Sequence, residues 1–403
     1  MHKFLILFFP FLLFAKIEVG VDRLLQSKEL QSLNGKRVAL VTNQTGVNGE
    51  LKPTYQLLQE HCKLTALFFP EHGFWGSDWA EKKIKSGQLG EIPLYSLHGE
   101  TRRPTKEMLQ GLDLIIYDIQ DIGVRSYTYA STLFYVMEEA AKEKIPVMVL
   151  DRPNPLGGNL VDGPMLEEKW RSFVGYVNVP YCHGMTIGEL ADFFNQEYKI
   201  GCQLSVIPMR GYKRAMTYEQ TGLPWIPTSP NIPEADSALF CASTGILGQL
   251  ELGVNIGVGY TLPFKVVGAP WIDAESFASA LNKLKLSGVH FRPFHFTPFS
   301  GKLKNRECHG VLLIVTDQKT YKPLSVQFAL LGILKSLYPE SFSKALKEVK
   351  GWRREIFNKV CGSEKVLQLL ENERYVTYKL LEMDRKEREA FAIKRKKYLR
   401  SEY

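Results

Sequence analysis

The stretch Leu64 to Gly76, LTALFFPEHGFWG, is a short apolar run that stops at Pro70 and delivers Glu71 and His72 into a glycine-flanked turn. That is how a strand buried in a parallel sheet ends. The pattern recurs along the first half of the chain. Lys36 to Thr42 empties into Asn43-Gln44-Thr45-Gly46, Leu112 to Tyr117 into Asp118 through Arg125, and Pro146 to Leu150 into Asp151-Arg152-Pro153-Asn154. Pro53 to His61 and Ser126 to Glu143 carry helical spacing between these runs, as the crossovers of sequential parallel strands require. The fold class that follows is α/β. In open sheets of this kind ligands sit outside the carboxyl ends of the strands, and Asn, Glu, His, Asp and Arg collect there.

Some of these groups have a purely structural reading as well. Asp121 and Arg125 suit an N-cap and an ion pair at the start of the next helix. Thr186 with Glu189 three residues on forms a capping box, which accounts for Glu189 in full. Proline and glycine stiffen the loop after Leu150 and hold Asp151 and Asn154 in fixed positions. His183 lies in another glycine turn, and Cys202 to Ile207 reads as a last strand of this half.

A length of 403 residues exceeds one ordinary core and fits two domains. The proline-rich Leu223 to Pro233, LPWIPTSPNIP, marks the boundary or a wall of the cleft. The division expected is a leader over 1–18, a parallel-sheet domain over 19–230 and a smaller α+β domain over 231–403. The leader rests on Lys3, the apolar run Phe4 to Phe14 and the small Ala15, the pattern of a secretory signal peptide; that run is too short to span a bilayer. It points to export into the cell envelope or beyond, with no membrane span in the mature chain.

The net charge is +8, but much of the excess sits between Arg385 and Arg400, which reads as a solvated helix face. No GxGxxG opens a helix after a strand and no GxxxxGKS is present, so neither a nucleotide cofactor nor nucleic acid is expected. The six cysteines form no CxxC pair, and His61-Cys62, Cys182-His183 and Cys308-His309 lack a second ligand at zinc-motif spacing, so no metal is expected. An even count in an exported chain permits disulfides, for example Cys182 with Cys202.

Several long motifs, in order, carry a resemblance. They are PEHGFWG at 70–76, PLYSLHG at 93–99, DIQDIGVRSYTY at 118–129, DRPNPLGG at 151–158, SFVG at 172–175, HGMTIGEL at 183–190 and SPNIP at 229–233. Together with the closing KRKKYL, the chain from about Val19 onward resembles the NamZ, or YbbC-like, family of exo-β-N-acetylmuramidases. The resemblance implies a Rossmann-like domain joined to a smaller one, with the site in the cleft between. It implies release of N-acetylmuramic acid from the non-reducing end of peptidoglycan fragments. The family's PEHG glutamate falls on Glu71, and its VEGP segment falls on Val161-Asp162-Gly163-Pro164.

The chain departs from the family at points that bear on an anionic sugar. Trp75 stands where the family has an arginine, Asp162 replaces a glutamate, and Gly257-Val258-Gly259-Tyr260-Thr261 lacks another arginine. A guanidinium fork suits the lactyl carboxylate of muramic acid. A sugar-binding envelope protein that has lost turnover is therefore the alternative to an enzyme.

Glycoside hydrolysis usually needs two carboxyl groups, one protonated and one ionised. Glu71 is the expected general acid, its pKa raised by burial beneath Phe69 and Phe74. Asp162 is the first expectation for its partner on the resemblance, followed by Asp121 or Asp118, then Glu189. His72, Arg125, Asn154 and His183, with Asn43, Asp118, Asp151 and Glu189, are expected to orient these groups or bind sugar.

Overall fold

The structure, a computed structural model, describes residues 16–403. Most of the expected leader lies outside the described residues, but its last positions do not. Ile17 is buried with its N–H on the Thr221 carbonyl, and Glu18 bridges Arg210, so the folded domain starts before Val19.

The first domain runs α1 (Gly20–Leu25), α2 (Lys28–Gln31), β1 (Arg37–Thr42), α3 (Thr54–Gln59), β2 (Lys63–Phe69), β3 (Gly87–Leu89), β4 (Ile92–Ser96), α4 (Lys106–Leu109), β5 (Leu114–Asp118), α5 (Thr128–Lys142), β6 (Val147–Leu150), α6 (Ile187–Glu197) and β7 (Leu204–Ile207). Its seven strands lie in the order β3-β4-β2-β1-β5-β6-β7. All pairings are parallel except β3 with β4, so the sheet is mixed. Taken in chain order, the parallel strands alone have the 3-2-1-4-5-6 arrangement of doubly wound folds. The chain turns from one half of the sheet to the other between β1 and β5, where such folds open their crevice.

Both faces of this sheet are buried, which is why its strands read as continuous apolar runs. Ala39, Val41, Ile115, Tyr117, Val147 and Val149 pack on one face with Leu133 and Met137 of α5 and Phe193 and Phe194 of α6. Val38, Leu40, Leu114, Ile116, Met148 and Leu150 pack on the other with Leu24 of α1 and Leu58 of α3. The capping box at α6 is present, with Thr186 accepting from the Glu189 N–H and Glu189 accepting from the Thr186 N–H. Ser27 separates α1 from α2.

The second domain comprises α7 (Ser237–Gln249), β8 (Val266–Ala269), α8 (Ala274–Lys283), β9 (Val289–Phe296), β10 (Cys308–Val315), α9 (Pro323–Leu337), α10 (Pro339–Leu346), α11 (Trp352–Cys361), α12 (Lys365–Asn372), α13 (Thr377–Glu382) and α14 (Arg385–Lys394). Its sheet has the order β8-β10-β9, antiparallel throughout. The basic end of the chain folds back onto the first domain. Arg395 donates to the carbonyls of Gly158, His183 and Gly184, Arg400 pairs with Asp192, and the Tyr403 hydroxyl reaches Asp151. Much of that charge therefore has partners within the protein.

All six cysteines are free thiols, so the disulfide that the even count permits is absent. No helix among the described residues is long and apolar enough to cross a membrane.

Candidate active site

The turn after β2 places Glu71 with little room to move. His72 has φ 71° and Gly73 φ 85°, so two successive residues adopt the left-handed region and turn the chain sharply beyond Pro70. For a histidine this conformation costs on the order of 1–3 kcal/mol, and it clusters at functional sites. The His72 ring pairs with the Asp78 carbonyl at 2.8 Å and stacks on Tyr127.

Glu71 is 8 % exposed. One carboxylate oxygen accepts from the Glu81 N–H at 2.8 Å and the other from the Thr128 hydroxyl at 2.7 Å, while His98 Nε2 lies 3.7 Å away. Burial alone raises its pKa. The N–H of Glu81, the hydroxyl of Thr128, His98 and His72 outweigh burial and hold the carboxyl below its ordinary value. The expected raised pKa is thus reversed: Glu71 is ionised. His98, just beyond the end of β4, is itself held below its ordinary value by burial against the pull of Glu71.

Asp121 has the opposite environment. Its Oδ1 accepts from the Gly123 N–H at 2.7 Å, and its Oδ2 is buried without a hydrogen-bond partner. Burial pushes its pKa up to about 7, against the nearby N–H groups of Gly123, Ile122 and Ala130. Tyr127 and Tyr129, at the start of α5, lie edge to face with centroids 4.6 Å apart. Asp121 acts on the titration of Tyr127, and Glu71 on that of Tyr129. Both tyrosine hydroxyls are fixed by Thr228 of the proline-rich segment, at 2.8 and 2.6 Å. That segment is therefore a wall of this site.

Unpartnered buried atoms gather at the same strand ends. They are Nδ2 of Asn43, Oε1 of Gln44, Nδ1 of His98, Oε1 of Gln120 and Oδ2 of Asp121. A buried polar atom without a partner costs about 1–3 kcal/mol, so such a group is poised to bind a ligand rich in hydroxyl and amide functions. Others occur elsewhere, as in the Gln327 amide, but these five are concentrated after β1, β4 and β5.

The remaining expected site residues are engaged by the scaffold. Asp118 is fully buried and holds Arg152 through both oxygens, and also Thr54. Arg125 forms no ion pair with Asp121. Its guanidinium donates to the carbonyls of Pro164, Val179 and Cys361 and fastens the two domains together, while burial lowers its pKa to about 10. Asp151 binds Thr186, the Gly188 N–H and Tyr403, and burial raises its pKa to about 6. Asn154 joins the Leu156 N–H to the Met185 carbonyl. His183 accepts from the Met185 N–H and is kept neutral by burial, its pKa lowered to about 3. Glu189 holds the Arg214 guanidinium and the Arg400 N–H.

Asp162 bridges Cys182, which also bridges Val124 in the loop after β5. Its oxygens accept from the N–H groups of Gly163 and of Leu324 in the first turn of α9, and burial raises its pKa. It lines a cleft of about 1320 Å³ between the domains, bordered by Arg214, Lys322, Arg385 and Arg388. Neither Glu71 nor Asp121 lines that cleft. Of the residues read from sequence, Glu71 and His72 share the turn after β2, while Asn43 and Asp121 follow the ends of the neighbouring strands β1 and β5. Sequence reasoning does not single out His98, Thr128, Tyr127, Tyr129 or Thr228, although PLYSLHG, DIQDIGVRSYTY and the proline-rich segment contain them.

The departures from the family pattern have a visible setting. Trp75 is 61 % exposed and packs edge to face on Phe74. Arg102, exposed and three residues after Gly99, stacks on Phe173 at 4.3 Å, and Phe173 packs against His98. No hydrogen bond or ion pair to its guanidinium occurs among the described residues, and its charge adds to the lowering of the His98 pKa.

The sequence signature described as "Exo-beta-N-acetylmuramidase NamZ, N-terminal" matches residues 38–236, and its C-terminal counterpart matches residues 239–400. The chain is 41 % identical over 390 residues to the peptidoglycan β-N-acetylmuramidase NamZ of Bacillus subtilis (strain 168), covering 95 % of this chain and 91 % of that protein. Two crystal structures of DUF1343 family proteins from Bacteroides fragilis NCTC 9343 are similar. One has a TM-score of 0.87 at 38 % identity, covering 95 % of this chain and 98 % of the other. The second has a TM-score of 0.69 at 28 % identity, covering 96 % and 99 %.

Proposed function

The chain belongs to the NamZ family of exo-β-N-acetylmuramidases, and we propose that it is a glycosidase that releases N-acetylmuramic acid from the non-reducing end of peptidoglycan fragments, with Glu71 and Asp121 as its two carboxyl groups. The residue assignment rests on a contrast of surroundings: both Glu71 oxygens accept hydrogen bonds, whereas Asp121 Oδ2 is buried without one, and the two carboxyl pKa values move in opposite directions. Pairs pushed apart in this way divide the acid and base roles. Asp121, retaining its proton to about pH 7, protonates the departing glycosidic oxygen. Glu71, ionised, either attacks the anomeric carbon or takes a proton from the attacking water. These roles reverse the one that sequence reasoning gives Glu71.

Asn43, Gln44 and Gln120 supply amide groups for sugar hydroxyls and the acetamido group. Arg102 supplies the guanidinium for the lactyl carboxylate, in place of the arginines lost at Trp75 and Val258. The apolar leader supports export to the cell envelope, where peptidoglycan is found. The test is nitrophenolate release from 4-nitrophenyl β-N-acetylmuramide and from the matching glucosaminide. Muramide-selective release supports the reading. Silence on both from a folded protein would favour the binding-only alternative.

A further inference from the structure

The second domain carries a side-chain cluster unrelated to the strand-end site. β9 and β10 pair in antiparallel register with His295 opposite His309, Pro293 opposite Val311 and Phe291 opposite Leu313. Directly opposed residues share a face, and a strand returns to the same face every second residue. His295 and His309 therefore stand side by side, and Glu307, two residues before His309, joins them. One ligand atom from each of the three lies within 4.8 Å of the other two. The two Nδ1 atoms are 2.7 Å apart, so a single proton is shared between facing lone pairs. The other end of this face is packed, with Phe291, Val311 and Leu313 in the core, so the backbone beneath the cluster is held. Asp273, the cap of α8, adds negative charge nearby, its pKa lowered first by Ser276 and then by these imidazoles.

We propose that His295, His309 and Glu307 form a binding site for one late first-row divalent cation, Zn²⁺ in particular. Two imidazole nitrogens and one carboxylate are a donor set that zinc accepts in tetrahedral geometry, with the fourth position left to water. Two nitrogens bound to one zinc ion lie about 3.3 Å apart, so the pair opens by only about 0.6 Å as the cation replaces the shared proton. His295 comes from β9, His309 from β10 and Glu307 from the last position of the eleven-residue loop 297–307 between them, so no short sequence motif reveals the set. The bound cation clamps the end of the β9–β10 pair where the connecting loop begins. It is remote in sequence from Glu71 and takes no part in hydrolysis.

The test uses the full-length chain stripped of metal, titrated with Zn²⁺ against a chromophoric chelator. One equivalent is expected to bind with a dissociation constant of roughly micromolar order. His295→Ala and His309→Ala are each expected to weaken binding by at least about tenfold, and Glu307→Gln by a smaller factor, with muramide hydrolysis unchanged. Melting curves of the metal-free variants confirm that they are folded. Absence of saturable binding to the wild type, or undiminished binding to folded His309→Ala, would overturn the site.

Discussion

Glu71 accepts a 2.7 Å hydrogen bond from the hydroxyl of Thr128, the first residue of α5, 57 positions along the chain. This bond ties the end of β2 to the start of the helix that follows β5. It also helps to keep the carboxylate charged at the positive end of a helix. Thr128→Val removes the donor without changing the shape. A hydrogen bond to a charged group is worth about 1.5–3 kcal/mol, so the Glu71 pKa should rise. The acidic limb of the kcat/KM profile should move to higher pH with it, and Thr128→Ser should restore it. An unmoved limb would show that this bond does not govern the active ionisation.

Asp121 makes the opposite prediction for stability. Its folded pKa of about 7 lies above the ordinary 3.8, so between these values the folded protein keeps a proton that the unfolded chain releases. Stability contributed by the protonated group is present at low pH and lost as pH rises through that window. Asp121→Asn should therefore raise the melting temperature more at about pH 8 than at about pH 4, while lowering hydrolysis by roughly 10²–10⁴-fold. Thermal melts at the two pH values check the first part. Equal shifts at both would remove the basis for calling Asp121 the acid.

Much of the architecture is visible in the sequence because a doubly covered sheet demands uninterrupted apolar strands, and β1, β2, β5 and β6 supply them. β4 and β9 are harder to read. Each contains a proline, Pro93 or Pro293, and neither is apolar throughout. Missing β4 also hides His98, the imidazole beside Glu71. The site is legible as a collection of polar groups at strand ends, but which of them are free is not. Asp118 finds Arg152 34 residues later, and Arg125 finds carbonyls more than 200 residues away. The direction of the Glu71 pKa escapes the sequence because the groups that lower it, the Glu81 N–H, the Thr128 hydroxyl and His98, reach it only through the fold.

Arg102 should set substrate choice. Loss of a charge-assisted bidentate contact costs about 1.5–3 kcal/mol, so Arg102→Ala should raise KM for the muramide by roughly 10–100-fold. Hydrolysis of a muramide analogue lacking the lactyl carboxylate should change little. Equal losses on both substrates would assign Arg102 to structure.

Arg125 should behave as a fastener between the domains. Arg125→Met leaves the carbonyls of Val179 and Cys361 without donors, at about 1–3 kcal/mol each, and the Pro164 carbonyl with the Tyr181 N–H alone. The melting temperature should fall by several degrees, with kcat per folded molecule retained at low temperature. A stable variant with impaired KM would return Arg125 to the binding site.

The most direct measurement of the role of Glu71 is the rate of sugar release from 4-nitrophenyl β-N-acetylmuramide by Glu71→Gln beside the wild type. The substitution keeps the size of the side chain and the Thr128 contact but removes the negative charge. The wild type should turn the substrate over, and the variant should be slower in kcat by roughly 10²–10⁴-fold with its melting temperature retained. Equal turnover by the two would contradict the placement of the catalytic carboxylate at the end of β2.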